Sequence, residues 1–568
     1  MSGSNVGDAT PQVDGRPGVL AGTPVVPGAG YGPVIRPGAR PPVPARRADL
    51  PAADRPAEKE RFLAAAETVS TRLLARADAV AGAGAEVLRA TAAMATDRGW
   101  LGAAGSLVDG GERAESAVAA ATEQFVAAFT KLGGLMAERV TDLLDVRDRV
   151  LAELAGAPEP GIPTPEVPSV LLATDLAPAD TAVLDPARVL AIATTLGGPT
   201  SHTAIIARQL GIPCVVAVAG LDAVEPGAVV LVDGEAGLVE VEPAPERAVA
   251  AAAHAAEVRR RTESWTGPGR TRDGHPVAVL ANVQDGASAR AAASSAAEGV
   301  GLLRTELAFL DRDTEPTVEE QALIYREVFD AFAGGKVVVR TLDAGSDKPL
   351  RFAGPVDEPN PALGVRGYRI AAANPGILDR QLDAIALAAL DSPASVLVMA
   401  PMIATAAEAA EFATAARARS LVPGVMVEIP AAALMADRIL EHVDFLSLGT
   451  NDLTQYTMAA DRLSAPLAAL TDPWQPAVLA LVARTVADGS RAGKAVGVCG
   501  EAAADPLLAC VLAGVGVASL SMAASAIAAT GSALSEVDLD ACRRAADAAL
   551  GAADPHTART RAAEILRG

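Results

Sequence analysis

One pattern restricts the fold of this chain more than any other, and it fills roughly the last 300 residues. A short apolar run, a polar tip and a helical stretch recur, with runs at 277–283, 300–303, 337–339, 396–399, 425–427, 445–448, 495–498 and 515–520. Strands that are apolar on both faces belong in parallel sheets covered by helices. Eight such runs in succession predict a (β/α)8 barrel over 267–568. Reactive groups in such barrels sit at the C-terminal ends of the strands.

Those ends are polar here. The second run ends in Arg304-Thr305-Glu306 and the third in Arg340-Thr341-Leu342-Asp343. The fifth delivers Glu428, the sixth Asn451 and Asp452 with Arg462 ten residues on, and the seventh Cys499. Any one tip arginine could be an ordinary salt-bridge partner. Two of them, a loop arginine, two carboxylates and a thiol on one face are hard to explain structurally, because buried charge is costly unless paired. Guanidinium forks match carboxylate and phosphate groups bidentately. Glu428 and Asp452 together suit a hard divalent cation such as Mg²⁺, and Asn451 offers a neutral amide. The set fits a small phosphorylated carboxylic acid. Cys499 has no local histidine or cysteine partner. Its thiol is protonated at neutral pH and able to donate; the alternative is a small buried hydrophobe.

Residues 1–17 read as a disordered polar tail. Strand-like segments and a proline-rich connector fill 18–51, and 52–156 is almost proline-free with a helical period. Strands and helices alternate again over 170–241. The helical block at 52–156 therefore reads as an insertion into one α/β domain made of 18–51 and 157–243, and an alanine-rich linker helix at 244–266 leads to the barrel.

In that α/β domain, Gly197-Gly198-Pro199-Thr200-Ser201-His202-Thr203 follows a buried strand at 189–193 and opens a helix over 203–210, stopped by Gly211 and Pro213. A helix N-terminus offers unpaired N–H groups and favours an anion. A histidine there can take up a phosphoryl group and have its charge stabilised at once. The alternative is a histidine packed at a strand–helix turn.

The net charge of −21 argues against broad nucleic-acid binding, so any anion-binding arginines must act in a local pocket. No stretch approaches a membrane span or a signal core, and the four cysteines lack metal-ligand spacing, which together predict a cytoplasmic protein without membrane insertion.

Gly-Gly-Pro-Thr-Ser-His-Thr, Gly-Leu-Leu-Arg-Thr-Glu, Val-Arg-Thr-Leu-Asp, Asn-Pro-Ala-Leu-Gly-Val-Arg-Gly-Tyr-Arg, Val-Glu-Ile-Pro-Ala-Ala, Gly-Thr-Asn-Asp-Leu-Thr-Gln-Tyr and Cys-Gly-Glu occur in that order. As an ordered set, from about Val19 onward, they resemble enzyme I of the bacterial sugar phosphotransferase system, the phosphoenolpyruvate–protein phosphotransferases. The resemblance implies an α/β multidomain fold: a swivelling phosphohistidine domain, an inserted helical subdomain that binds the phosphocarrier protein HPr, and a TIM-like barrel that pairs two copies. It implies that His202 is phosphorylated on Nε2 and that Arg304, Arg340, Arg462, Asn451 and Asp452 hold phosphoenolpyruvate. It further implies Mg²⁺ on Glu428 and Asp452, and protonation of the enolate by Cys499 to release pyruvate, as the first step of sugar uptake. Arg366 matches another arginine of the family's site. Pro199 stands where the family often has arginine and Ser346 where glycine is usual; neither change removes a reacting atom.

The same motifs occur in pyruvate phosphate dikinase and phosphoenolpyruvate synthase. Those enzymes also need a large ATP-binding region, and no Gly-rich nucleotide loop precedes His202. A non-catalytic scaffold for the carrier would be expected to have lost one of His202, Arg304, Glu428, Asp452 or Cys499, and all are present.

Overall fold

The computed structural model describes residues 18–567, apart from 39, 80–82, 133–138, 164, 177, 182–183, 199–200, 311, 346–349, 354–357 and 463. The expected disordered tail at 1–17 lies outside these residues, as do Pro199, Thr200 and Ser346. The chain divides into two compact units, Met1–Val258 and Arg259–Gly568. The division falls inside the helix Pro245–Ser264 rather than at either of its ends.

The first unit is built on an open sheet of eight strands in the order β1-β8-β7-β3-β4-β5-β6-β2. The strands are β1 Val19–Ala21, β2 Thr23–Val26, β3 Ala29–Ile35, β4 Ser169–Ala173, β5 Val189–Thr194, β6 Cys214–Val216, β7 Val229–Asp233 and β8 Leu238–Val241. β3 to β6 run parallel, and β4 and β6 are buried along their whole length, as continuous apolar runs require. Between β3 and β4 the chain leaves the sheet for the helices Arg55–Ala79, Ala83–Ala95, Arg98–Asp109, Ala114–Leu132 and Val140–Ala155, then returns to pair beside β3.

The helical block has its own core, and in so alanine-rich a segment a few bulky side chains supply much of it. Trp100 is buried edge-on against Phe62, ring centroids 5.8 Å apart, and its indole N–H donates to Thr122 Oγ1 at 3.1 Å. Truncating such a residue costs about 3–5 kcal/mol. A buried ion cluster ties the block to the sheet domain. Arg149, fully buried on the helix Val140–Ala155, pairs with Asp145 at 2.7 Å, Asp180 at 2.6 Å and also Glu159. Asp180 belongs to the short helix Pro178–Thr181, after β4. Three carboxylates share one guanidinium there. Burial, opposed by Arg149 and reinforced by Asp180, pushes the Asp145 carboxyl up to about 6.

The second unit is a closed barrel of eight parallel strands: β9 Ala278–Val283, β10 Gly299–Leu303, β11 Lys336–Arg340, β12 Ser395–Ala400, β13 Val422–Val427, β14 Phe445–Gly449, β15 Val496–Cys499 and β16 Ser519–Met522. Every strand pairs with its successor and β16 closes on β9. Capping boxes at Asp285, Thr317 and Thr405 start three of the surrounding helices by satisfying their first free N–H groups. The last apolar run is displaced from its expected place. Val515 ends the helix Pro506–Val515, Gly516 turns with φ 103°, and β16 begins only at Ser519. Leu512 and Ala513 near the helix end, Val517 in the turn and Leu520 and Met522 in the strand are all buried, so hydrophobicity alone does not separate helix from strand. Among the described residues no helix is long and apolar enough to cross a membrane.

Candidate active site

The strand tips converge on a buried network of charge at the C-terminal mouth of the barrel. Arg340, the last residue of β11, is 8% exposed. Its Nη2 pairs with Glu306 Oε1 at 2.7 Å and its Nη1 with Asp343 Oδ2 at 3.2 Å. Its Nε is buried with no protein partner, so one donor remains for a bound anion. Arg366 is equally buried and pairs with Asp343 at 2.9 Å and Asp452 at 3.5 Å, with Tyr456 Oη 3.4 Å away. Nearby carboxylates outweigh the burial cost and raise the pKa of both guanidinium groups, which stay charged.

Glu428 follows β13 and is 1% exposed. Its Oε1 accepts the Met402 backbone N–H at 2.6 Å. Burial first, then Asp343 and Asp452, push its carboxyl up to about 8. A cluster that must hold on to a proton at neutral pH is one that a divalent cation would relieve. Among the described residues no group of three or more metal-binding side chains converges. A pair of carboxylates, with substrate oxygens and water for the other positions, is nevertheless the donor set Mg²⁺ commonly takes.

Asn451 and Asp452 lie in the first turn of the helix Thr450–Met458, directly after β14. The Asn451 carbonyl oxygen accepts the Glu501 N–H at 3.1 Å, which turns its NH₂ group free to donate. That close approach needs Gly500, whose φ is +100° and where an added Cβ would lie 2.8 Å from Asn451 Oδ1. Cys499 ends β15, is 2% exposed, and donates to the Leu448 carbonyl at 3.3 Å. Burial pushes its thiol up to about 11. The thiol is therefore fully protonated at neutral pH.

Two expected ligands stand apart from this buried network. Arg304 follows β10 and is exposed, though close enough to favour the Cys499 thiolate electrostatically. Arg462 is exposed, and its backbone N–H is held by Gln455 Oε1 at 3.1 Å. In the other unit, His202 opens the helix His202–Leu210 one residue earlier than its apolar pattern suggests. Ser201 is the N-cap, accepting the Ala204 N–H on its side chain, and Gly211 ends the helix in the left-handed conformation. The side chain of His202 lies outside the described residues.

Comparisons with known proteins agree with this arrangement. Three family models match in succession: the N-terminal region of PEP-utilising enzymes over 21–139, their mobile domain over 165–237 and their PEP-binding domain over 259–539. A phosphoenolpyruvate-protein phosphotransferase of Streptomyces coelicolor is 49% identical over 522 residues, covering 91% of this chain and 94% of its own length. The chain belongs to the phosphoenolpyruvate–protein phosphotransferase family. It is thus a phosphotransferase of the PEP-utilising enzymes. A Haloferax volcanii protein of the same name is 42% identical over 78% of this chain and 80% of its own. A solution structure of Enzyme I is 28% identical over 42% of this chain and 99% of its own, with a TM-score of 0.37.

Within the family's barrel, three supporting residues were given no role by sequence reasoning. Glu306 and Asp343 were visible as acidic neighbours of tip arginines, two or three residues away. Tyr456, reaching Arg366 across ninety residues of sequence, left no such signal.

Proposed function

We propose that this enzyme transfers the phosphoryl group of phosphoenolpyruvate to His202, and from there to a histidine of the phosphocarrier protein HPr, releasing pyruvate. The observation that carries the reading is the buried charged face made by Arg340, Glu428 and Asp452 at or just beyond the strand ends, with Arg366 from the loop after β11. In this reading Arg340 fixes the substrate by its unpaired Nε, while Arg304 and Arg462 close on it from the exposed rim. Asn451 donates its amide to the phosphate. Glu428 and Asp452 hold Mg²⁺, which when bound neutralises charge on the transferring group. Arg366 acts from behind, holding Asp343 and Asp452 in place. Cys499 supplies the proton that converts the enolate to pyruvate.

His202 is the acceptor because a helix N-terminus stabilises the charge it gains. The domain division proposed with this reading is 18–51 with 157–243 for the phosphohistidine domain, 52–156 for carrier binding, 244–266 as linker and 267–568 as the substrate barrel. A homodimer through the barrel is part of it. The four free, buried thiols suit the cytoplasm.

Incubation with radiolabelled phosphoenolpyruvate and Mg²⁺, followed by mapping, should place acid-labile, base-stable label on His202 alone. His202→Ala should abolish it. Label retained at His254, His275, His442 or His556 would refute the assignment.

A further inference from the structure

Beneath the active face, the barrel lumen contains a polar file that the proposed reaction does not yet use. Ser447, midway along β14, donates its hydroxyl to Cys499 Sγ at 3.6 Å. The thiol's own proton is directed elsewhere, to the Leu448 carbonyl. Register fixes this meeting: Gly449 lies opposite Cys499 and Ser447 opposite Gly497, so serine and thiol are diagonal neighbours on one face. Below Ser447 the lumen opens into a cavity of about 20 Å³, room for one water, lined also by Ser519, Ser521 and Lys336. Lys336, the first residue of β11, lies with Nζ 5.6 Å from the Phe445 ring centroid at the N-terminal end of the barrel.

A neutral thiol sulfur is a poor acceptor for a buried hydroxyl, whereas a thiolate is a strong one. The charged groups that face the thiol are Glu428, Arg340 and Arg304, all from the substrate side. Ser447 is the donor that reaches it from below.

We propose that Ser447 is the positioning residue of Cys499, orienting the thiol before turnover and re-protonating it afterwards through the cavity. The inference rests on the reading of Cys499 as proton donor. In the forward step the S–H bond breaks and a C–H bond forms at C3 of the enolate, leaving a thiolate. The Ser447 hydroxyl then gives its proton to Sγ and takes one from water in the cavity, and the hydroxide this leaves departs to solvent at the mouth beside Lys336, where a fresh water replaces it.

The test uses the full-length enzyme with phosphoenolpyruvate, Mg²⁺ and HPr. Ser447→Ala should lower kcat for pyruvate formation about tenfold, the usual effect of losing a hydrogen bond to a charged group. KM for phosphoenolpyruvate and phosphoryl exchange between His202 and HPr should be unchanged. Alkylation of Cys499 by iodoacetamide at a fixed pH of about 9, near the reference thiol range, should slow in Ser447→Ala. Ser447→Thr should restore both rates. Normal turnover and alkylation in Ser447→Ala, beside an inactive Cys499→Ala, would overturn the Ser447 assignment alone. Loss of HPr exchange in both Ser447 variants would reduce the serine to a packing role and overturn it too. Normal turnover by Cys499→Ala would instead overturn the proton-donor reading beneath it.

Discussion

Arg340 Nη2 lies 2.7 Å from Glu306 Oε1, each side chain 10% exposed, so one ion pair locks two adjacent strand ends of the barrel together. The pair presets the guanidinium plane and leaves its Nε–H without a protein partner. Arg340→Lys should therefore cut kcat/KM for phosphoenolpyruvate by about 10²-fold, because a point charge reproduces neither the fork nor the pairing. Glu306→Gln keeps the shape but loses the charge, and should raise KM more than it lowers kcat. Steady-state pyruvate assays distinguish the two; equal, near-native kinetics in both variants would remove Arg340 from the site.

Metal dependence should run through Glu428 and Asp452 together. Binding a cation requires an ionised Glu428, whose carboxyl is raised to about 8 by burial and by Asp343 and Asp452. The Mg²⁺ concentration for half-maximal pyruvate formation should accordingly fall as pH rises toward 8. Glu428→Gln should raise that concentration by roughly tenfold or more and flatten its pH dependence. An unchanged Mg²⁺ titration in Glu428→Gln would move the metal elsewhere.

Cys499→Ala separates the two halves of the reaction. Exchange of phosphate between His202 and HPr needs no enolate chemistry and should survive. Pyruvate formation should fall by about 10²-fold or more, the usual weight of a general acid, with loss of stereochemical control at C3. A thiol acting only as a small buried hydrophobe predicts near-normal turnover instead.

Asp145 gives the first unit a pH-dependent stability. Its carboxyl rises from 3.8 to about 6 on folding, mainly through burial, so the folded state binds more protons than the unfolded between those values. This stabilisation is fully present below 3.8 and disappears as pH rises through about 6. Asp145→Asn should retain the hydrogen bond to Arg149 without that loss, and so gain stability over the wild type as pH increases from 4.5 to 7. Differential scanning calorimetry across that range tests it; parallel Tm curves for the two proteins would contradict the shift.

The sequence by itself determined the barrel, the helical interruption of the sheet domain, and which charged groups stand at the strand ends. Its authority there is physical: a buried parallel strand must be an apolar run, and a charged residue at its end is conspicuous against it. The same rule misplaced the eighth run, because buried apolar residues continue from Leu512 and Ala513 in the helix Pro506–Val515 through Val517 to Leu520 in β16 and read alike. Only the tertiary structure decided which charges pair. Arg366 was legible as a motif residue, but its grip on Asp343 and Asp452, and the contact of Tyr456 with it, depend on strands and loops meeting across the mouth of the barrel. Ser447 and the Arg149 cluster were equally hidden: a serine inside an apolar strand and an arginine on an amphipathic helix have ordinary sequences. Their energies come from neighbours that closure of the barrel and packing of the helices bring within hydrogen-bonding distance.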